Sequence, residues 1–253
     1  MVITSKNNNK YKEIKKLLAS SRARSKAGLF VVEGERICAE IPKELPATLC
    51  VSESYAALHG VGNFSLVFSD EVFKSLSDTV NPQGILAVVK QPLYSLGEIL
   101  DKGAKEALYL ILDDIRDPGN LGTIIRTAEA AGADGVIMSP GCADIFNPKV
   151  IRSTMGSIFR VPFVCTELSF AIADMKEKKI SIYAACLDGE VYYNEEKYSG
   201  KNAFIIGNEA SGISEKIASL ADKKIKIPMA GQAESLNAAV SAAIIMYGYK
   251  KWT

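Results

Sequence analysis

The chain has 253 residues, with 30 Lys and Arg against 29 Asp and Glu for a formal net charge of +1, and 48% of its side chains are hydrophobic. Such a composition excludes a disordered chain and a globally basic nucleic-acid binder, and the length holds one large domain or two smaller ones. Five scattered cysteines (Cys38, Cys50, Cys142, Cys165, Cys186) form no C-x-x-C pair, and His59 is the single histidine, so neither a disulfide framework nor a metal centre is expected. No apolar run approaches the roughly 18 residues of a membrane span, and the segment Met1–Asn7 has no leader-like apolar stretch, so the expected compartment is the cytoplasm, with no membrane partner.

Charge is unevenly placed along the chain. Residues 1–36 carry nine basic side chains against three acidic ones, a net +6, which leaves −5 for residues 37–253. Ile14, Leu17 and Leu18 form an apolar stripe at helical spacing behind the possible cap Ser5, with the lysines on the opposite face. An amphipathic surface helix accounts for that run. Arg22, Arg24 and Lys26 extend the basic character into an expected loop suited to a phosphate backbone.

Next come an expected strand at Leu29–Val32, a helix from Gly34 to Glu40, strands at Thr48–Val51, Leu66–Phe68 and Ile85–Val89, and a helix at Ser69–Leu76. This alternation predicts a small layered α/β domain over residues 1–90, followed by a linker over 91–105 where Pro, Gly and charge mix. From residue 106 the pattern becomes regular: strands at Leu108–Leu112, Gly135–Met138, Val161–Val164, Ile180–Ala185, Ala203–Ile206 and Lys224–Ile227, with helices at Leu121–Ala131, Phe170–Lys178, Ser214–Leu220 and Leu236–Lys250. A mostly parallel sheet with helices on both faces is expected over 106–253, and its ligands belong at the carboxyl ends of the strands.

No G-x-G-x-x-G or G-x-x-x-x-G-K-[ST] phosphate loop is present; the Gly60-Val61-Gly62 fragment lacks both the third glycine and a helix. The loops after three strands carry small residues and a few polar ones. In the first, Asn120 is a natural helix cap and Arg126 lies within two turns of the helix start, although a cap plus a surface arginine accounts equally for this loop taken alone. The second, Gly207 to Gly212, brackets Glu209 between glycines that admit close backbone approach. The third runs from Ile227 into an alanine-rich helix, with Ser235 and Asn237 straddling its start as possible caps.

Together, Asn120-x-Gly122-x-x-x-Arg126, Gly207-x-Glu209-x-x-Gly212 and Ile227-Pro228-Met229-x-Gly231-x-x-x-Ser235-Leu236-Asn237-x-Ala239 resemble, in order, the three motifs of the SpoU (TrmH) family of RNA 2′-O-ribose methyltransferases. The first domain is more loosely similar to that family's N-terminal RNA substrate-binding domain, through Ser5-Lys6-Asn7 to Arg24, Phe30-Val31-Val32-Glu33-Gly34 and Gln83-Gly84-Ile85-Leu86-Ala87. The resemblance implies S-adenosylmethionine as cofactor, a deep trefoil knot and a homodimer.

The same resemblance implies a cofactor site at Gly207, Ile227, Met229, Gly231 and Leu236, with Arg126 at the catalytic centre and Asn120, Glu209, Ser235 and Asn237 around it. The implied reaction is in-line attack of a ribose 2′-hydroxyl on the sulfonium methyl group. Because arginine stays protonated in proteins, Arg126 is read as a charged group that binds the phosphate beside the ribose and stabilises developing alkoxide. RNA contacts are expected at Lys6, Lys10, Arg22, Arg24 and Lys26, and at Lys149 and Arg152, which an ordinary exposed helix explains as well. Deleting residues 1–26 is expected to flatten the salt dependence of RNA binding. Ribosomal RNA is the favoured partner, with transfer RNA as the alternative; a non-catalytic RNA-binding or assembly factor on the same scaffold is the competing class. A dehydrogenase lacks its phosphate loop.

Overall fold

The protein is described by a computed structural model covering residues 2–60, 66–102 and 105–249. Val61 and Gly62 of the fragment named above, Gly103 and Ala104 of the expected linker, and Lys250 at the expected end of the last helix lie outside the described residues. The chain divides into two compact units, Met1–Pro92 with Asp144–Phe159, and Leu93–Ala143 with Arg160–Thr253.

In the first unit the order is β1 (Val2–Ile3), α1 (Asn9–Ala19), α2 (Ser21–Ala27), β2 (Leu29–Glu33), α3 (Glu35–Ala39), β3 (Ala47–Ser52), α4 (Glu53–His59), β4 (Leu66–Phe68), α5 (Asp70–Leu76) and β5 (Ile85–Lys90). Among the described residues its sheet has five strands, ordered β1-β4-β3-β5-β2, parallel from β1 to β3, with β5 antiparallel to both β3 and β2. Asn8, not Ser5, caps α1 by accepting from the Lys10 N–H, and Tyr11, Ile14 and Leu17 face the core beside Val31, Phe68 and Leu86. The basic stretch after α1 is a second helix rather than a loop. Ser20 is extended, which ends α1, and its hydroxyl accepts from the Ala23 N–H to start α2; Gly28, at φ 64°, closes that helix.

The second unit holds α6 (Leu96–Asp101), β6 (Ala107–Leu112), α7 (Pro118–Ala130) and β7 (Gly135–Met138). After α8 (Pro148–Thr154), which belongs to the first unit, it continues with β8 (Phe163–Cys165), α9 (Leu168–Glu177), β9 (Ser181–Ala185), β10 (Val191–Tyr192), β11 (Lys201–Ile206), α10 (Glu215–Ala218), β12 (Lys223–Lys226) and α11 (Ala238–Tyr249). Among the described residues seven strands lie in the order β10-β12-β9-β11-β6-β7-β8, and every pairing is parallel. All residues of β6 and β7 are buried, as central strands covered on both faces require. Tyr109, Ile137, Ile172, Ile182 and Ile205 anchor one side of this core, and Ala238, Ala239 and Ala242 of α11 are buried. Helix α6 occupies part of the segment expected as linker, with a reciprocal Ser95/Glu98 capping box at its start.

Segment 144–159 packs into the first unit through Phe146 and Phe159, whose rings lie 4.8 and 6.1 Å from that of Phe30. It also supplies the carboxylate that Arg24 requires. Arg24 is only 3% exposed; its Nε and Nη2 donate to Asp144 Oδ2 at 2.9 and 2.6 Å, and its Nη1 donates to the Leu17 carbonyl in the last turn of α1 at 2.6 Å. The expectation that Arg24 meets RNA is therefore corrected: its donors are consumed inside the fold. Lys6, Lys10, Arg22 and Lys26 are exposed, with Lys10 paired to Glu13 at 3.0 Å. Lys149 is exposed on α8, and Arg152 donates to Asp78 at 2.8 Å.

Because α1 supplies core residues, the deletion of residues 1–26 would test folding rather than electrostatics. Arg24→Ala removes one partner of a largely buried ion pair and is predicted to destabilise the protein by about 2–4 kcal/mol, below the upper range for such losses because Asp144 retains some water. Urea denaturation, read alongside an exposed control such as Arg22→Ala within about 0.5 kcal/mol of the parent, measures it.

Candidate active site

Parallel pairing brings the carboxyl ends of β6, β9, β11 and β12 to one edge of the sheet, so the loops that follow them converge. Two buried or half-buried side chains bind the first loop to the second. Asp113 Oδ2 accepts from the backbone N–H and hydroxyl of Ser214 at 2.8 and 2.7 Å, and Asn208 Nδ2 donates to the Asp114 carbonyl at 2.8 Å. Asp114 takes the left-handed conformation, φ 59°, held by reciprocal bonds with Ser139. The guanidinium of Arg116 donates to its carboxylate, and this bond, aided by the Ser139 hydroxyl, lowers its pKa against the effect of burial.

The second loop is a tight turn in which Asn208 and Gly212 exchange backbone hydrogen bonds of 3.0 and 2.9 Å, while Asn208 Oδ1 accepts from Ala210 and Ser211 N–H. Closing it demands glycine at one position. A Cβ on Gly207 would stand 2.2 Å from both Gly212 C and Ile213 N, whereas one on Gly212 would meet nothing within 4 Å and suffer only from its φ of 67°.

Asn120 is not the cap of α7. Asp117 holds that place, accepting from the Asn120 N–H at 2.8 Å with Pro118 following, and this leaves the Asn120 side chain available. Its Nδ2 donates to Glu209 Oε1, and its Oδ1 accepts from Asn237 Nδ2 at 3.0 Å. Asn237 in turn caps α11, its Oδ1 accepting from the N–H groups of Ala239 and Val240 at 2.9 and 3.3 Å. The polarity of the relay is forced: a carboxylate only accepts, the cap fixes the Asn237 oxygen inward, and Asn120 must turn its nitrogen to Glu209 and its oxygen to Asn237.

Glu209 also borders a cleft of about 430 Å³, within the span of roughly 300–1,000 Å³ usual for small-molecule sites. Among the residues expected to hold cofactor, Gly207, Ile227, Met229 and Leu236 line it, with Ser235 alongside; Gly231 does not. Cys186, Leu187 and Asp188, which no motif marks, line the cleft from the loop after β9. The carboxyl-end rule applied to that strand would have found them. Arg126 stands apart: it is exposed on α7, about 9 Å along the axis from Asn120 at 1.5 Å per residue, and its side chain makes no ion pair or hydrogen bond among the described residues.

Comparison with known proteins places this arrangement. Residues 107–247 match the SpoU rRNA Methylase family, and residues 8–87 match the MRM3-like substrate binding domain. Full-length relatives include the Bacillus subtilis 23S rRNA (guanosine(2553)-2′-O)-methyltransferase RlmP, 35% identical with 97% of each chain covered. The Streptomyces viridochromogenes 23S rRNA (uridine(2479)-2′-O)-methyltransferase is 30% identical over 97% of this chain and 90% of its own. The structure of the SpoU methyltransferase AviRb from that organism, in complex with AdoMet, superposes with a TM-score of 0.87 at 28% identity, covering 96% of this chain and 97% of the other.

The chain belongs to the SpoU rRNA methylase family. It is an S-adenosylmethionine-dependent RNA 2′-O-methyltransferase carrying an N-terminal substrate-binding domain.

The cleft suits that cofactor chemically, with apolar walls at Ile206, Ile213 and Leu236 and with Gly207 packed against the Gly212–Ile213 backbone so that the bordering turn can close. Gly207→Ala, which forces that turn open, is predicted to weaken S-adenosylmethionine binding at least tenfold, read by titration calorimetry. Gly212→Ala, which incurs only the left-handed backbone cost of about 1 kcal/mol, is predicted to keep it.

Proposed function

We propose that this chain methylates a ribose 2′-hydroxyl of ribosomal RNA, with the cleft beside β11 as cofactor site and the Asn237–Asn120–Glu209 relay at its border as the edge of the reaction centre. The relay carries the reading: two amides and a carboxylate, from the first turn of α7, the start of α11 and the turn after β11, meet at the border of the cleft with their hydrogen-bonding polarity fully specified. The names of the two full-length relatives favour ribosomal over transfer RNA.

S-adenosylmethionine, when bound, supplies an electrophilic methyl group on a sulfonium sulfur. The chain's own residues have the remaining tasks of orienting the ribose, stabilising charge and excluding water. Glu209, fixed by Asn120, accepts a hydrogen bond at the border of the cleft, and Ser235 offers a hydroxyl along its lining. Arg126, exposed and with no carboxylate paired to it among the described residues, binds the phosphate next to the target ribose as a charged fork and stabilises the developing alkoxide, while that phosphate or solvent takes the hydroxyl proton. Gly231 then belongs to the loop carrying Met229 rather than to the lining. The reading includes a homodimer in the cytoplasm and the knotted crossing of the family; Val240 and Tyr247, exposed on α11, suit contact with a second copy.

RNA capture rests on Lys6, Lys10, Arg22 and Lys26, with Lys149 and Arg152 contributing from α8. Replacing Lys6, Arg22 and Lys26 together by alanine is predicted to reduce the salt slope of RNA binding by about 0.7–0.9 for each phosphate no longer neutralised, with cofactor affinity unchanged. An unchanged slope removes this arm from the account.

Arg126→Lys keeps the charge but loses the fork, and is predicted to lower methyl transfer about 100-fold or more while S-adenosylmethionine binds as before. The decisive assay maps ribose methylation across total RNA from cells with and without the gene, then after restoration with Arg126→Ala. One ribosomal site should vanish with the gene and stay absent in the restored strain. A site in transfer RNA, or full restoration by Arg126→Ala, would overturn the reading.

A further inference from the structure

The first unit has a second cleft, of about 360 Å³, at the carboxyl ends of β3 and β4 and the start of β5. Its wall is α4, a helix that buries none of its side chains. The rings of Tyr55 and His59, one turn apart on that helix, stack at 4.4 Å between centroids and 25° between planes, and Leu58 beside them is 80% exposed. Phe73 closes the floor. A helix that contributes little to the core and carries a planar aromatic pair with an exposed leucine is built for something outside the fold.

The polar rim selects the class of ligand. Gln83 is held by its Oε1, which accepts from the Glu35 N–H at 2.9 Å, so that its amide nitrogen remains a donor with no acceptor among the described residues. Asp70 is kept ionised by the Ser54 hydroxyl and N–H, at 2.6 and 3.1 Å, which lower its pKa. Glu35 lies beside Tyr55, whose hydroxyl pKa is pushed up by partial desolvation and then by that carboxylate. With Lys74, the charged groups on the cleft are two carboxylates and one ammonium. A phosphate would meet net repulsion there. A flat, uncharged ring with donors and acceptors along its edge meets a stacking face and complementary groups of both kinds.

We infer that this cleft receives an unpaired nucleobase of the RNA substrate, stacked on the Tyr55–His59 pair with its edge toward Gln83 and the carboxylates of Glu35 and Asp70. The inference rests on the RNA-methyltransferase reading, and the match of residues 8–87 to a substrate-binding domain spans every residue of the cleft. It divides the work within the first unit: lysines and arginines hold the backbone without regard to sequence, while this cleft reads one base that has left its helix. Stacking on aromatics tolerates any base, so discrimination falls to Gln83, Glu35 and Asp70.

His59 is the only histidine in the chain, so its imidazole gives one isolated NMR signal in the full-length protein prepared without a histidine tag. Titration with a short single-stranded RNA of mixed sequence should move that signal upfield, as ring stacking requires, and saturate; the same strand in a full duplex, and inorganic phosphate, should leave it in place. His59→Ala, at an exposed position, and Tyr55→Ala should each weaken binding of the single strand about tenfold, in the range of base–aromatic stacking, while Tyr55→Phe stays within about twofold. A signal that stays fixed at saturation, moves equally with phosphate or duplex, or moves with an apolar peptide but not RNA would overturn the inference. So would RNA affinity in His59→Ala equal to that of the parent. S-adenosylmethionine affinity measured on the same samples separates the two claims: the variants should keep it, and a parent that binds none fails as a methyltransferase whatever His59 does.

Discussion

Three side chains that lie 89 and 117 residues apart along the chain meet because a parallel sheet gathers its carboxyl ends on one edge, and the hydrogen bonds among them can run in only one sense. Asn237 spends its oxygen on the first N–H groups of α11, so only its nitrogen can face Asn120; Glu209 has no proton to give, so Asn120 must offer its own nitrogen there. The start of a helix, the first turn of another and a glycine-bracketed turn are thereby locked to one another at the border of the cofactor cleft. Asp113 with Ser214, and Asn208 with the Asp114 carbonyl, hold the loops in place beneath that relay.

Much of the second unit was legible because its strands are buried on both faces, and burial leaves continuous apolar runs such as Leu108–Leu112 and Ala203–Ile206. The first two polar loops were legible because each follows such a run; the third follows the lysine-rich β12, with one buried residue, and was legible through its own pattern from Ile227 to Asn237. What the pattern could not carry was the partner of each polar group. Asn120 looks like a cap from composition alone, but Asp117 three residues earlier, followed by Pro118, takes the cap and frees it for the relay. Arg24 reads as one more cation in a basic run; its burial depends on Asp144, 120 residues further on, which no local pattern indicates. The loop after β9 has no distinctive residues to mark it, although its position at the same sheet edge was already implied.

Fewer of the N-terminal cations are free for RNA than their number suggests. The excess over residues 1–36 counted every cation as available, whereas Arg24 is neutralised within the fold, Lys10 is shared with Glu13, and Lys15 donates to the Ser75 carbonyl. The same reasoning distinguishes the sites by sign. The α1–α2 region keeps exposed cations for phosphates, the α4 cleft is net acidic and apolar, and Arg126 stands exposed with no carboxylate paired to it among the described residues.

Whether the relay acts as one unit in methyl transfer is read by a double-mutant cycle on Asn120 and Asn237. Asn237→Asp preserves the α11 cap but puts an oxygen against Asn120 Oδ1, and Asn120→Ala removes the link altogether. If the relay is one unit, each variant lowers kcat with the S-adenosylmethionine affinity kept, and the double variant is no slower than the slower of the two. Losses that multiply independently would contradict the account and reduce Asn237 to a helix cap and Asn120 to a surface amide.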